Sequence, residues 1–361
     1  MIKKILFFFI ITISSFVQAQ QLSDKAKVSI ITCATAPVTY AMYGHTGIRI
    51  QDVAQQIDVV YNYGAFDFTT PHFALKFIKG DLLYFVTREN YFDFEYNYQI
   101  ENRSIYEQEL RLNAKQKQHL FDELNQSLTS EDRFYTYKFI EQNCTTMVVD
   151  KINRILGSEQ LKAPKTNLSY REILFPYMSD FYQKLGIQLI FGTKVDAPAT
   201  RLFLPFELKK ALENNTQLSL PTRVLFEAKP SPPSFSFLNS IYSLIALLFI
   251  LIVLNKKWIQ ISYFTLAGLL GIFFCVVGLF SLHQEVLWNY NILLFNPLLL
   301  LFAWYLKQKK EEKIRLVAKL YLFSLIVYLF ILISKIQFGI VLPILLLHTW
   351  WTLKPFIKTK N

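Results

Sequence analysis

From Phe237 onward the chain carries five apolar runs, at about 237–254, 259–281, 287–306, 316–334 and 338–353. Each comes near the roughly 20 residues that a helix needs to cross a bilayer. In lipid the backbone must satisfy its own polar groups, so runs of this kind are confined to helices. They predict five transmembrane helices, the last one short, with Pro297 and Pro343 placed to bend theirs. The loops give the helices a direction. Lys256 and Lys257 follow the first run, Lys307, Lys309, Lys310, Lys313 and Arg315 the third, and Lys354, Lys358 and Lys360 the fifth. The "LHQEV" loop after the second run has no Lys or Arg, and only Lys335 separates the fourth from the fifth. Positive residues mark cytoplasmic loops. The alternation therefore predicts a cytoplasmic carboxyl terminus and an exported amino-terminal part. Trp258, Trp288, Trp304, Trp350 and Trp351 fall near expected span ends, where interfacial anchors belong.

The other end of the chain agrees. "MIKKILFFFIITISSFVQAQQ" has a basic start at Lys3 and Lys4, an apolar core and a small-residue pattern ending at Ala19. It reads as a secretory signal over residues 1–19 and is set aside from fold reasoning. The net charge of +11 would invite a nucleic-acid reading, but residues 20–236 hold 24 basic and 24 acidic side chains. The excess sits in the signal and the membrane region, where it is topological and not a phosphate-binding surface. Nucleic acid is excluded as a partner on that ground. The expected organisation is an exported domain at 20–227, a proline- and serine-rich linker "AKPSPPSFS" at 228–236, and a membrane domain at 237–361. The exported part is long enough to bury a core of its own.

Within it, "KVSIITCA", "TGIRIQD", "QIDVVYNYGAFDF" and "LLYFVTRENYFDFEYNYQIENRSIYEQELRL" are rich in β-branched and aromatic residues and broken by Gly, Asn and Asp, which predicts strands. Helices are predicted from Asn113, with Leu120, Phe121, Leu124 and Leu128 on one face, and from Asn143, with Val148, Val149, Ile152, Ile155 and Leu156 on one face. Segments near 168–185 and 205–214 also read as helical. The fold class is α+β with an antiparallel sheet, followed by an all-α membrane domain.

Cys275 falls inside the second apolar run and reads as packing. Cys33 and Cys144 lie in the exported, oxidising part, where two cysteines invite a disulfide. The stretch "FIEQNCTTMVVD" offers another reading: Asn143 as N-cap, Cys144 at the first helical position, Thr145 and Thr146 in the first turn. Exposed backbone N–H groups and the helix dipole at such a terminus stabilise a thiolate. A thiolate nucleophile needs a base, and His45 in "YAMYGHTGIRI", at the start of a strand, is the histidine placed to serve. His119 lies on the polar side of its helix, His72 in a turn, His283 in an extracytoplasmic loop and His348 in the last span. None has zinc-like spacing to a cysteine or second histidine, and no phosphate-binding glycine loop or G-x-S-x-G elbow is present. No cofactor is expected. Spacing alone leaves open a Cys144–His45 pair, a Cys33–Cys144 disulfide, or two structural residues.

Several stretches, in order, carry a resemblance: "SIITCATAPVTYAMYGHTGIRI", "VVYNYGAFDF", "FALKFIKGDLLYFV", "RFYTYKFIEQNCTT", "SYREIL" and "GIQLIFGTKVDAPATRLFLPFEL". From about Val28 to Leu208 the chain resembles the Lnb-type periplasmic domain, which is similar to permuted papain-like thiol enzymes related to lecithin–retinol acyltransferases. Lnb proteins carry a membrane-helical carboxyl half and are implicated in lipoprotein N-acylation. The resemblance implies Cys144 as nucleophile and His45 as its partner. It also puts Asn62 and Tyr63 of "NYG" in position for a third, orienting polar group, with strand parity undecided. Asn143 is a further candidate for stabilising an oxyanion. The loop "TCATAP" departs from the more glycine-containing "TC-x-PG" turn of the family, so the segment before His45 is where divergence is expected.

The implied activity moves an acyl chain from a membrane phospholipid, through a Cys144 thioester, to the α-amino group of diacylglyceryl-cysteine lipoproteins. The implied location is the inner membrane, multi-pass, with the amino-terminal domain in the periplasm. Two rival expectations remain: a papain-like peptidase or amidase acting on cell-wall peptides, and a non-catalytic envelope binding or assembly protein.

Overall fold

A computed structural model describes residues 20–163, 166–230 and 235–357. The expected signal segment and residues 231–234 of the linker lie outside these. The exported part is built on strands β1 (Lys27–Cys33), β2 (His45–Asp52), β3 (Ile57–Ala65), β4 (Leu83–Asn90), β5 (Ile105–Glu109), β6 (Phe134–Thr136) and β7 (Arg223–Phe226). They form one antiparallel sheet in the order β6-β4-β3-β2-β1-β5-β7. Its helices are α1 (Phe73–Lys79), α2 (Tyr91–Ile100), α3 (Ala114–Thr129), α4 (Cys144–Leu156), α5 (Tyr170–Leu174), α6 (Phe181–Ile190) and α7 (Pro205–Glu213).

Alternation along the strands gives the sheet two apolar faces. Val28, Ile30, Ile48, Ile50, Val59, Tyr61 and Tyr63 turn toward α3 and α4, whose Leu120, Phe121, Leu124, Val148 and Ile152 close the main core. Ile31, Cys33, Val60 and Ile105 turn the other way and are covered by Tyr91 and Phe94 of α2. That helix falls where a strand was expected. Tyr91, Phe94 and Tyr98 recur at helical spacing and lie over the sheet, and the Arg49 guanidinium stacks 3.3 Å from the Tyr91 ring centroid. Aromatic content suits either conformation; here tertiary packing selects the helix. The helix expected near 168–185 is also broken. α5 stops at Leu174, Pro176 enters a single 3-10 turn, and α6 starts afresh from the Asp180 cap.

The apolar half contains α8 (Ile241–Leu254), α9 (Lys257–Phe280), α10 (Leu298–Gln308), α11 (Glu311–Leu332) and α12 (Phe338–Leu353). Three segments, Lys257–Phe280, Gln284–Gln308 and Glu311–Leu332, are long and apolar enough to cross a membrane. α8 and α12 are shorter, at 14 and 16 residues. The run expected as one helix at 287–306 is irregular in its first half, with a 3-10 turn at Tyr290–Leu293 and α10 beginning only after Pro297. The freed backbone and amides are paired within the protein: Tyr328 donates to Asn291 Oδ1 at 2.6 Å, and Tyr321 to the Leu294 carbonyl at 2.6 Å. Two expectations fail here. Cys275 is exposed on the outside of the bundle, so it does not fill its interior. Trp351 is buried against Tyr263 and Phe264 and is no interfacial anchor.

The two halves dock through the loop that follows α9. Leu282 N–H donates to the Lys79 carbonyl at 2.7 Å, Gly192 N–H to the Glu285 carbonyl at 2.7 Å, and Asn289 Nδ2 to the Leu189 carbonyl at 2.8 Å. Arg171, almost fully buried, binds Asp196, the Gln188 side chain and the Gly192 carbonyl, with its guanidinium over the Tyr290 ring. Lys335 also reaches Asp196, at 3.6 Å. At the opposite end Lys354 bonds Asn255, and Arg315 bonds the Pro355 carbonyl. The loops poor in basic residues thus face the exported domain, while basic loop residues collect at the far end.

Candidate active site

Cys144 is the first residue of α4, and the chain builds that terminus with care. The Asn143 side-chain oxygen accepts from the Thr145 and Thr146 backbone N–H groups at 2.9 and 3.0 Å, and the Thr146 hydroxyl accepts from Asn143 N–H in return. This reciprocal cap fixes the first turn. The Asn143 amide nitrogen donates to the carbonyls of Phe139 and Phe203 at 2.8 and 2.9 Å. Both of its N–H groups are spent on holding the helix start against the chain before α7.

His45 opens β2, opposite Cys33 in β1. Its preceding residue, Gly44, has φ +82°, and a Cβ there would come within 2.6 Å of the Cys33 carbonyl. Only glycine passes this corner without strain. Gly64 makes a second glycine-dependent approach. It has φ +102° at the irregularity in the β3–β4 pairing, and a Cβ there would sit 3.8 Å from the Cys144 Cβ, in ordinary contact.

The imidazole and the thiol meet. His45, the Thr46 backbone N–H and the Thr145 hydroxyl all bear on the sulfur and favour its thiolate, with Thr145 Oγ1 3.9 Å from Sγ. His45 Nε2 lies 2.9 Å from Asn62 Oδ1, and Asn62 Nδ2 donates to Glu89 Oε1 at 2.6 Å. The carboxylate can only accept from the amide, so the amide's oxygen must face the ring, and Nε2 carries a proton. Nδ1 is the nitrogen left for the sulfur. Tyr63, the neighbouring candidate, points to the opposite face and packs in the main core beside Tyr135. Among Asn62, Tyr63 and Asn143, only Asn62 touches the imidazole.

Burial alone would push the Cys144 thiol up, but the hydrogen bond and positive charge of His45 outweigh it and hold its pKa below the ordinary value. Burial likewise pushes His45 down, and the same partnership with Cys144, joined by Asn62, leaves it raised. Both shifts favour thiolate beside imidazolium. Burial raises Glu89, partly offset by the His45 charge. Cys33 differs: burial pushes its thiol far up. All three cysteines are free. A desolvated, neutral thiol at position 33 is inert chemically, whereas the one at 144 is poised.

Beside the His45 loop lies an open cleft of about 560 Å³ lined by Thr35, Ala36, Pro37, Tyr177 and Phe206 among others. Its wall residue Tyr177 packs on Tyr43, two residues before the histidine. The "TCATAP" segment, where divergence was expected, thus forms the rim. Sequence reasoning missed Glu89, which carries no local motif and reaches the site only through β3–β4 register.

An antiparallel α+β domain with a cysteine at a helix start and a histidine at a strand start, docked on an apolar helical half, defines a membrane protein with a thiol-bearing exported domain. Residues 15–175 match the Lnb N-terminal periplasmic domain, and residues 228–361 match the Lnb transmembrane domain. The chain belongs to the Lnb-type family and is a membrane protein with a periplasmic domain. Membership points to an enzyme of lipoprotein processing. No curated protein and no solved structure matches the chain.

Proposed function

We propose that this protein is a lipoprotein N-acyltransferase with Cys144 as nucleophile and His45 as its acid–base partner. The Cys144 thiolate attacks an ester carbonyl of a phospholipid, and the sulfur–carbon bond forms as the carbonyl becomes an oxyanion. The Cys144 backbone N–H, unpaired by position at the helix start, is the donor assigned to that oxyanion. Collapse breaks the ester C–O bond, and the His45 imidazolium gives its Nδ1 proton to the leaving lysophospholipid oxygen. The thioester is then attacked by the α-amino group of a diacylglyceryl-modified lipoprotein cysteine. His45, now neutral, takes the amine proton, and the thiolate departs to leave an amide. Asn62, held by Glu89, keeps the ring in the tautomer this cycle requires, and Asn143 positions the helix start.

The fold reading that goes with this chemistry is a permuted papain-like domain at 20–227, a linker at 228–236, and five membrane crossings at 237–361 in the inner membrane. Crossing by α8 and α12 requires their flanking residues to lie in the interface. The observation that carries the proposal is His45, hydrogen-bonded through Asn62 to Glu89, beside a Cys144 thiol whose pKa it lowers, in a domain docked on apolar helices. Two lipid-anchored substrates suit an enzyme held at a lipid surface.

The test uses full-length protein in lipid nanodiscs with a diacylated lipopeptide. Mass spectrometry should find acyl-Cys144 with phospholipid alone and N-acylated lipopeptide when the acceptor is added. Cys144→Ala and His45→Ala should each abolish product. Cleavage of cell-wall stem peptide without phospholipid turnover would overturn the reading in favour of a peptidase.

A further inference from the structure

The seven residues of α1, "FALKFIK", include five apolar side chains, and none of the seven residues is buried. Leu75 and Ile78, one turn apart, are 67% and 41% exposed, Phe77 is 45% exposed, and Phe68 just before the helix is 66% exposed. A short helix whose apolar side is left open has no reason to persist in water. What lies beside it identifies its solvent. The Ser281 hydroxyl donates to the Ile78 carbonyl at 3.0 Å, Leu282 N–H to the Lys79 carbonyl at 2.7 Å, and His283 Nε2 bonds the Phe77 carbonyl at 2.8 Å. Ser281 is the residue that ends α9, a 24-residue segment long enough to cross a membrane. A helix of that length spans about 36 Å, a few ångströms more than the hydrocarbon core, so its end sits among headgroups. Leu279 and Phe280 in its last turn are themselves exposed.

We infer that α1 is an interfacial helix, seated in the leaflet on the exported side with Leu75, Ile78 and Phe68 in the acyl region. Lys76 suits the adjoining phosphates, while Lys79 is paired with Asp81, and Gly80 (φ +80°) ends the helix by packing its backbone against His283, where a Cβ would lie 3.1 Å from the ring. The partner is the bilayer surface itself. Seated there, α1 also connects lipid to the thiol. Phe73 packs on Phe66, Phe66 on Tyr84 with ring centroids 5.2 Å apart, and Tyr84 on Tyr137 at 4.6 Å. Tyr137 and Cys144 pack against the same core. An acyl chain leaving the leaflet follows this row of rings, which is closed here and must part to admit it. The seating stands on its own; the path rests on the acyl-transfer reading.

The experiment separates the two. Spin labels are placed at Leu75→Cys, and at Val53→Cys in the exposed β2–β3 turn, in full-length Cys144→Ala/Cys275→Ser protein reconstituted in phosphatidylglycerol–phosphatidylcholine vesicles. The label at 75 should collide with oxygen more than with a water-soluble nickel chelate, and the label at 53 the reverse. An aqueous profile at both positions overturns the seating, whatever the enzyme does. In otherwise native protein, Leu75→Asp/Ile78→Asp should slow acylation of Cys144 from vesicle phospholipid at least tenfold while leaving its alkylation by iodoacetamide unchanged. Acylation at the parent rate would overturn the path and leave the label result to decide the seat.

Discussion

Asn62→Ala tests the proposed site without touching either reacting group. The amide oxygen is 2.9 Å from His45 Nε2, and the amide is held by Glu89 at 2.6 Å. A hydrogen bond to a charged group contributes about 1.5–3 kcal/mol, and a pKa unit corresponds to about 1.4 kcal/mol. If that bond is what steadies the imidazolium, its loss should lower the His45 pKa by about 1–2 units and so narrow the pH range in which a charged ring favours the Cys144 thiolate. The bond persists in weaker form when the ring is neutral, so this is an upper range. The assay is the pH dependence of iodoacetamide alkylation at Cys144, read by mass spectrometry on Cys275→Ser protein. Cys33 does not interfere, because burial keeps its thiol protonated. The double variant Asn62→Ala/Glu89→Gln should shift further in the same direction, because the Glu89 carboxylate also interacts with the imidazolium directly. A titration of Asn62→Ala superimposable on the parent's would refute the argument.

Three further outcomes are expected. Transfer requires the Cys144–His45 pair to hold one proton, and the lowered thiol and raised imidazole both favour the ion-paired form of that state. Transfer in nanodiscs should therefore rise as pH climbs through the pair's first titration and fall as it climbs through its second; activity still rising above pH 9 would contradict it. Gly64→Val forces a β-branched side chain into a left-handed conformation, a strain of about 1–3 kcal/mol, beside Cys144; slower alkylation of Cys144 together with a lower Tm should result, and parent-like values would refute it. Arg171→Met strips Asp196 of its main partner in a buried setting and should cost about 3–5 kcal/mol, read as a depressed Tm and new protease cleavage within 281–295. An unchanged Tm would show that Lys335 suffices.

The start of α4 was legible because its determinants are consecutive: Asn143, Cys144, Thr145 and Thr146 specify a cap, and the apolar spacing behind them specifies which face is buried. α3 was legible for the same reason. The choice between Asn62 and Tyr63 was not. It turns on strand parity next to an irregular step between Asn62 and Ala65, which only the pairing with β4 reveals. Glu89 and the rings between α1 and Cys144 were hidden likewise, since they converge through register and not through spacing. α2 was misread because an aromatic-rich stretch fits both a strand and a helix, and the Arg49 stack that favours the helix comes from a distant strand. In the apolar half, hydropathy located the segments but not the interruption before Pro297, where asparagines and tyrosines from several helices take over the hydrogen bonding.

One carboxylate links the membrane half to the chemistry. Glu285, buried in the loop after α9, accepts the backbone N–H of Ile140 at 3.2 Å, four positions ahead of the sulfur. Excising the exported half as a soluble fragment would orphan that amide in a dry setting, at about 1–3 kcal/mol, and release the turn from which α4 and Cys144 start. Kinetics gathered on such a fragment would describe a loosened relative of the native centre, and inhibitors sought against it would be matched to the wrong shape.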